Sequence, residues 1–215
     1  MSHLLHLATT LRLTNDAELL LGALPDAMGV ALIAGTGAIA LGRDARGTTA
    51  RANGWGHLIG DEGSGYALGH GAVRAATRAA DGRGPATTLL AAITHAWALT
   101  TPADIIAHVY AHPDKVEIAR LAPLVLAAWR AGDAVAGRIV RRAAGELAAS
   151  ALAVGHALAL PHDLPLACGG ALLTQAADYR ECVYARLRRT QPITPVVVDN
   201  PAHAAARAMH EEMHP

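Results

Sequence analysis

Apolar positions along this chain follow two rhythms. Short, nearly unbroken runs occur at GVALIAG (29–35), AIALGRD (38–44) and LPLACGG (164–170). They are rich in Val, Ile, Leu and Ala and end in glycine or charge, the pattern of buried strands. TTARANG (48–54) follows the turn DARG (44–47) and predicts a third extended segment in a hairpin-like element. TPVVVDN (194–200) predicts a final strand. Elsewhere the spacing is helical. A helix is predicted from Asp61 to about Ala80, stopped by DGRGP (81–85), with others over 86–98, 102–111, 115–131, 133–158 and 171–189. Shorter helices are predicted over 3–12, from Ala17 with Thr14, Asn15 or Asp16 as cap, and from Pro201. Strand, glycine and helix units around a helical stretch indicate an α/β protein. Its sheet should contain the segments near 30–42, 48–54, 164–168 and 195–198.

Composition narrows the picture. The 215 residues suffice for one sizeable domain, and 52% are hydrophobic. There is no Phe, with three Trp and four Tyr, so Ala, Leu, Val and Ile must build the core. Eighteen basic residues balance eighteen acidic ones without a basic block, which excludes nucleic acid as a partner. Cys168 and Cys182 form no CxxC and read as reduced core thiols. The N-terminal sequence carries no signal-peptide pattern, and no apolar run approaches the roughly 20 residues of a membrane span. A cytoplasmic protein without a membrane partner is expected. The twelve histidines are scattered, and His108 with His112 stands in no metal motif, so no residue is assigned to a metal.

Three segments could carry chemistry. Gly35-Thr36-Gly37 lies between two strands, where a tight turn exposes backbone N–H groups and one hydroxyl. That suits phosphate oxygens, although such turns also serve simply to join strands. Gly169-Gly170 closes a strand before a helix, where backbone can approach a flat ligand or glycine can serve packing alone. Asp16 could cap a helix or act as a general base. The most distinctive segment is NGWGHLIGDEGSGYALGHGAV (53–73), glycine-rich with few, well-separated polar side chains.

Taken together, TNDAELLLGAL, VALIAGTGAIALGRDARGTTARANGWGHLIGDEGSGYALGHGAV and LACGGALL resemble the C-terminal part of N-acetylglucosamine kinase-like proteins. These form the BadF/BadG/BcrA/BcrD-type ATPase family of the actin-like sugar kinase superfamily. The likeness is dense over 14–73 and continues collinearly to about 209. It implies an α/β fold, the C-terminal lobe of an actin-like (ribonuclease H-like) ATPase, with a helical insertion over about 86–160. It further implies that Gly54, Trp55 and Gly56 form part of a hexosamine-binding wall and that Asp61 binds sugar hydroxyls. A carboxylate can accept two hydroxyl hydrogen bonds and an indole can cover an apolar sugar face. Gly35, Thr36 and Gly37 match a phosphate-binding turn, Gly169 and Gly170 an adenosine-binding turn, and Asp16 the base for the attacking hydroxyl. The implied reaction is transfer of the ATP γ-phosphoryl group, with Mg²⁺, to N-acetylglucosamine or glucosamine.

The sequence also departs from the family. The resemblance implies an N-terminal lobe with a DGGGTKT-type motif, which is not among these residues. Ala38 and Ile39 replace polar sugar contacts, and His203-Ala204 stands where relatives often have Gly-Ala. The expectation is a C-terminal lobe over 1–215 that phosphorylates little by itself and self-associates, as a homodimer or otherwise, through uncovered apolar surface. A non-catalytic sugar- or nucleotide-binding protein is the alternative. The family's dehydratase activators offer another, but they need a cysteine-ligated iron–sulfur cluster.

Overall fold

The computed structural model describes residues 16–200, so the expected helices over 3–12 and from Pro201, the caps Thr14 and Asn15, and His203-Ala204 lie outside the described residues. The chain opens with α1 (Asp16–Leu21) and a 3₁₀ turn (Pro25–Ala27), followed by the meander β1 (Gly29–Ala34), β2 (Ala38–Arg43) and β3 (Thr49–Asn53). Then come α2 (Gly65–Ala80), α3 (Leu89–Ala96), α4 (Asp104–Ala111), α5 (Lys115–Ala119), α6 (Ala122–Arg130) and α7 (Ala134–Ala157). The chain returns to the sheet as β4 (Leu164–Gly169), passes through α8 (Ala171–Gln175) and α9 (Ala177–Leu187), and ends with β5 (Ile193–Val197). All the expected sheet segments are present.

The sheet runs β3-β2-β1-β4-β5. β1, β2 and β3 pair antiparallel, whereas β4 and β5 add in parallel on the other side of β1. Alternation along the strands separates two cores. Val30, Leu32 and Ala34 of β1 and Leu164, Leu166 and Cys168 of β4 face the larger cluster, shared with α2, α7 and α9. Ala31 and Ala167 face the other side, where Leu20 and Leu21 of α1 cover them. Burial on both faces explains why these strands read as continuous apolar runs.

Small residues set the helix spacing. On α2, Gly65, Leu68, Gly69, Ala72 and Ala76 form one buried stripe. A Cβ at Gly69 would stand 1.9 Å from the Ile118 carbonyl oxygen, so α5 packs directly on this helix.

Three element expectations need correction. The stretch 115–131 is two helices, broken at Arg120-Leu121, with Pro123 in the first turn of α6. The stretch 171–189 is also two, because Ala176 leaves helical geometry at φ −103°, ψ 81°. α2 begins at Gly65 rather than Asp61, since Asp61 takes φ +58° and Ser64 caps the helix by accepting from the Ala67 N–H at 3.1 Å. Both cysteines are free; Cys168 is buried in β4, and burial pushes its thiol up to about 11. Among the described residues, no helix is long and apolar enough to cross a membrane.

Candidate functional site

Parallel β1 and β4 end at the same edge of the sheet, with Ile33 in register with Gly169. Ligand clefts in open α/β sheets form outside such carboxyl ends. Each strand runs into one of the glycine turns singled out in the sequence.

In the first turn all three carbonyls are engaged. Gly37 O accepts from Gly35 N–H at 2.9 Å, Gly35 O from Gly65 N–H at 2.7 Å, and Thr36 O from Tyr66 N–H at 3.2 Å. The last two donors belong to the first turn of α2, so the positive end of that 16-residue helix abuts the turn. With each of its carbonyls engaged, the turn's remaining polar groups are two donors, the Thr36 and Gly37 N–H groups, and the Thr36 hydroxyl, which can donate or accept. Such a surface favours anions.

The loop 53–64 is held at both ends. Asn53 accepts from Gly54 N–H at 2.8 Å and donates through Nδ2 to Glu62 O at 2.9 Å. Further on, the buried Tyr179 hydroxyl of α9 donates to Gly63 O at 2.7 Å. Asp61 is 5% exposed, and its Oδ1 accepts a long hydrogen bond, 3.4 Å, from Ala38 N–H. The sequence reading overlooked Asn53, although an Asx residue before glycine at a strand end is a recognisable loop anchor.

Two clefts meet at the Gly-Thr-Gly turn. One, of about 490 Å³, is lined by Ala17, Thr36, Gly37, Gly54, Asp61 and Lys115, among others. The other, of about 460 Å³, lies between α5, α6 and α8 and is mostly apolar, with Arg120, Arg130 and Gln175 as its larger polar side chains. Gly35 and Thr36 line both. Ala38 and Ile39 also line the first cleft, so the apolar substitutions noted in the sequence fall on its wall.

The candidate residues are therefore distributed unevenly. Gly35, Thr36, Gly37, Gly54 and Asp61 converge on the first cleft. Asp16 is the first residue of α1, immediately before Ala17 of the cleft wall. Trp55 and Gly56 are not among the lining residues; Trp55 is 64% exposed with the Arg51 guanidinium 4.7 Å from its ring centre. Gly169 and Gly170 pack against protein. A Cβ at Gly169 would meet Leu20 at 2.6 Å, and one at Gly170 the Ala34 carbonyl oxygen at 2.5 Å. Their successors, Ala171 and Leu172, line the apolar cleft. Lys115 in the first cleft was missed from sequence.

Among the described residues no group of three His, Cys, Asp or Glu could hold a metal ion. Asp61 is the one carboxylate among the residues lining the first cleft. This donor set does not form a magnesium cage; Mg²⁺ typically relies on one or two carboxylates together with substrate phosphates and water. His108 is satisfied locally by Glu117 at 3.2 Å and by stacking on Trp97.

Comparison with known proteins bears on this arrangement. The BadF/BadG/BcrA/BcrD ATPase family matches residues 10–196. An N-acetylmuramic acid/N-acetylglucosamine kinase of Clostridium acetobutylicum is 43% identical over 148 residues, 68% of this chain and 48% of the relative. An N-acetyl-D-glucosamine kinase of Dictyostelium discoideum is 36% identical over 139 residues, covering 62% of this chain and 43% of the relative. The chain thus spans about half the length of the curated relatives it matches. A crystal structure assigned as an N-acetylglucosamine kinase, from Chromobacterium violaceum, superposes with a TM-score of 0.72 at 27% identity, covering 91% of this chain and 65% of that one. Another so assigned, from Porphyromonas gingivalis, gives 0.70 at 25% identity, covering 92% and 64%. These neighbours have the actin-like ATPase fold.

Proposed function

We propose, for a chain that belongs to the BadF/BadG/BcrA/BcrD ATPase family, that it supplies the sugar- and nucleotide-binding lobe of an ATP-dependent amino-sugar kinase. The observation that carries this reading is the position of Thr36 between a cleft with a carboxylate and a cleft with apolar walls. Phosphoryl transfer needs acceptor and donor on opposite sides of one anion-binding point. In the proposal, Asp61 accepts hydrogen bonds from sugar hydroxyls, and Gly54, Trp55 and Gly56 belong to the sugar wall. Asp16 takes the proton of the attacking hydroxyl. Thr36 and the N–H groups beside it hold the transferred phosphoryl group, and the Gly169-Gly170 turn brings Ala171 and Leu172 against the adenosine. Mg²⁺ would neutralise charge on the nucleotide phosphates.

The acceptor is N-acetylglucosamine, the sugar for which the relatives are named, or glucosamine. The apolar Ala38 and Ile39 in the cleft wall predict loose reading of the 2-substituent. Only one wall of the transfer site is built from the residues named, so the 215-residue polypeptide alone should bind better than it turns over. Exposed Leu58 and Ile59, 83% and 75% accessible, support self-association, which a monomer mass in light scattering would exclude. A cluster-bearing dehydratase activator fits less well, since Cys168 lies buried within the sheet.

Calorimetry with N-acetylglucosamine tests the reading. Asp61→Asn keeps the shape and removes the charge, and it should weaken binding by roughly tenfold, the value of one charge-assisted hydrogen bond. An unchanged affinity would remove Asp61 from the site. In a coupled assay, turnover in the usual kinase range of roughly 1–100 s⁻¹ from this polypeptide alone would contradict the binding-lobe proposal.

A further inference from the structure

We infer that Lys115 contacts the phosphoryl group being transferred, an inference that rests on the kinase reading above. The chain carries eighteen basic Lys and Arg residues, yet Lys115 is its only lysine. Every other basic position of this type is arginine, and the single exception lines the Asp61 cleft. The two side chains differ physically. Arginine offers a rigid planar fork, whereas lysine is a compact charge with three donors on a flexible stem.

Its place in the fold fits a phosphoryl contact. Lys115 begins α5 on the side of the Asp61 cleft, while Val116 and Ala119 of the same helix and Arg120 at its C-terminal cap line the apolar cleft. α5 is therefore a wall common to the two clefts, as the Thr36 turn is their common floor. Lys115 lines the same space as Thr36 and Gly37 of the turn.

The charge inventory points the same way. Arg120 pairs with Glu117 at 3.2 Å, and Arg130 pairs with Asp178 through bonds of 2.5 and 2.7 Å. Among the described residues the Lys115 side chain has no ion pair or hydrogen bond, and Asp61 does not come within salt-bridge distance of it. Thus the one cation lining the Asp61 cleft forms no ion pair, while those of the apolar cleft are paired. N-acetylglucosamine, being neutral, has no use for such a charge; a transferring phosphoryl group, carrying charge on three oxygens, does.

The test compares a non-hydrolysable ATP analogue, ADP and N-acetylglucosamine by calorimetry on the wild type, Lys115→Gln and Lys115→Arg. Lys115→Gln should weaken the ATP analogue by about tenfold and change ADP and the sugar by less than about twofold, with partial recovery in Lys115→Arg. Because the lysine is unique, reductive methylation with ¹³C-formaldehyde gives a single lysine signal, which should shift with the ATP analogue and not with ADP. Equal losses for ATP analogue and ADP, a loss confined to the sugar, or no loss would overturn the inference while leaving the kinase reading standing. A wild-type protein that binds neither nucleotide nor sugar would overturn both.

Discussion

A methyl group at position 37 would sit 2.9 Å from Oδ2 of Asp61 and 3.2 Å from its Cγ. Glycine is therefore needed there for the close approach of a carboxylate rather than for its φ. Gly37→Ala should displace Asp61 from the cleft floor and weaken N-acetylglucosamine binding by about tenfold, with a stability loss of only about 1 kcal/mol. Calorimetry and thermal unfolding on one sample separate the two effects; loss of fold with no specific loss of affinity would show the contact to be packing alone. Much of the lining of the candidate cleft was legible at this scale. Gly35, Thr36, Gly37, Gly54 and Asp61 stand in a dense motif, and they share one cleft. Lys115 stands outside that motif, in a helix contributed from 54 residues after Asp61 in sequence. Only its uniqueness in composition could have marked it, and that clue has no address in space. The glycines 169 and 170 carried both readings in sequence, and their contacts with Leu20 and Ala34 show how strongly packing alone requires them.

Elements hold the site through a few long-range polar contacts. Tyr179→Phe keeps the ring of α9 and removes the hydrogen bond to Gly63 O, leaving a buried carbonyl without its partner. The expected loss is about 1–3 kcal/mol in urea unfolding, with faster amide exchange over 61–64. Exchange unchanged in that segment would mean that α9 does not support the loop. Asp133 plays the same part for α7. It caps the helix through Val135 and Ala136 N–H and also accepts from Thr87 and Thr88. Burial works against its ionisation, but these hydrogen bonds prevail and hold its carboxyl well below the usual 3.8. A depressed folded value stabilises the protein above the unfolded pKa and is lost as pH falls through the folded one. Asp133→Ala should therefore be destabilising by about 1–2 kcal/mol near neutrality. The gap from wild type should narrow between about pH 5 and pH 2, and a gap independent of pH would refute the charged-cap account. Strand and helix types were readable because both hydrophobic periods are strong. The break at Ala176 was not, since alanine favours helix and packing between elements decides otherwise, whereas Pro123 did mark the break at Arg120-Leu121 and was passed over.

At the scale of the whole molecule, function would follow from one topological fact. β1 and β4 are far apart in sequence, yet they pair in parallel and end together. Nothing in the local pattern fixes that pairing; burial on both faces makes it possible, and the helices between the strands supply the crossover. The two glycine turns become neighbours, with a Cβ at Gly35 3.9 Å from Ala171 N, and the clefts open to either side of Thr36. The central claim is that these clefts take different ligands and meet at that residue. Amide chemical shifts report it directly when ¹⁵N-labelled protein is titrated with N-acetylglucosamine and, separately, with the non-hydrolysable ATP analogue. The sugar should move Gly54 and Asp61, the nucleotide should move Ala119 and Leu172, and Thr36 should respond to both. Shifts from both ligands on one cleft alone, or nucleotide shifts that spare Thr36, would contradict it.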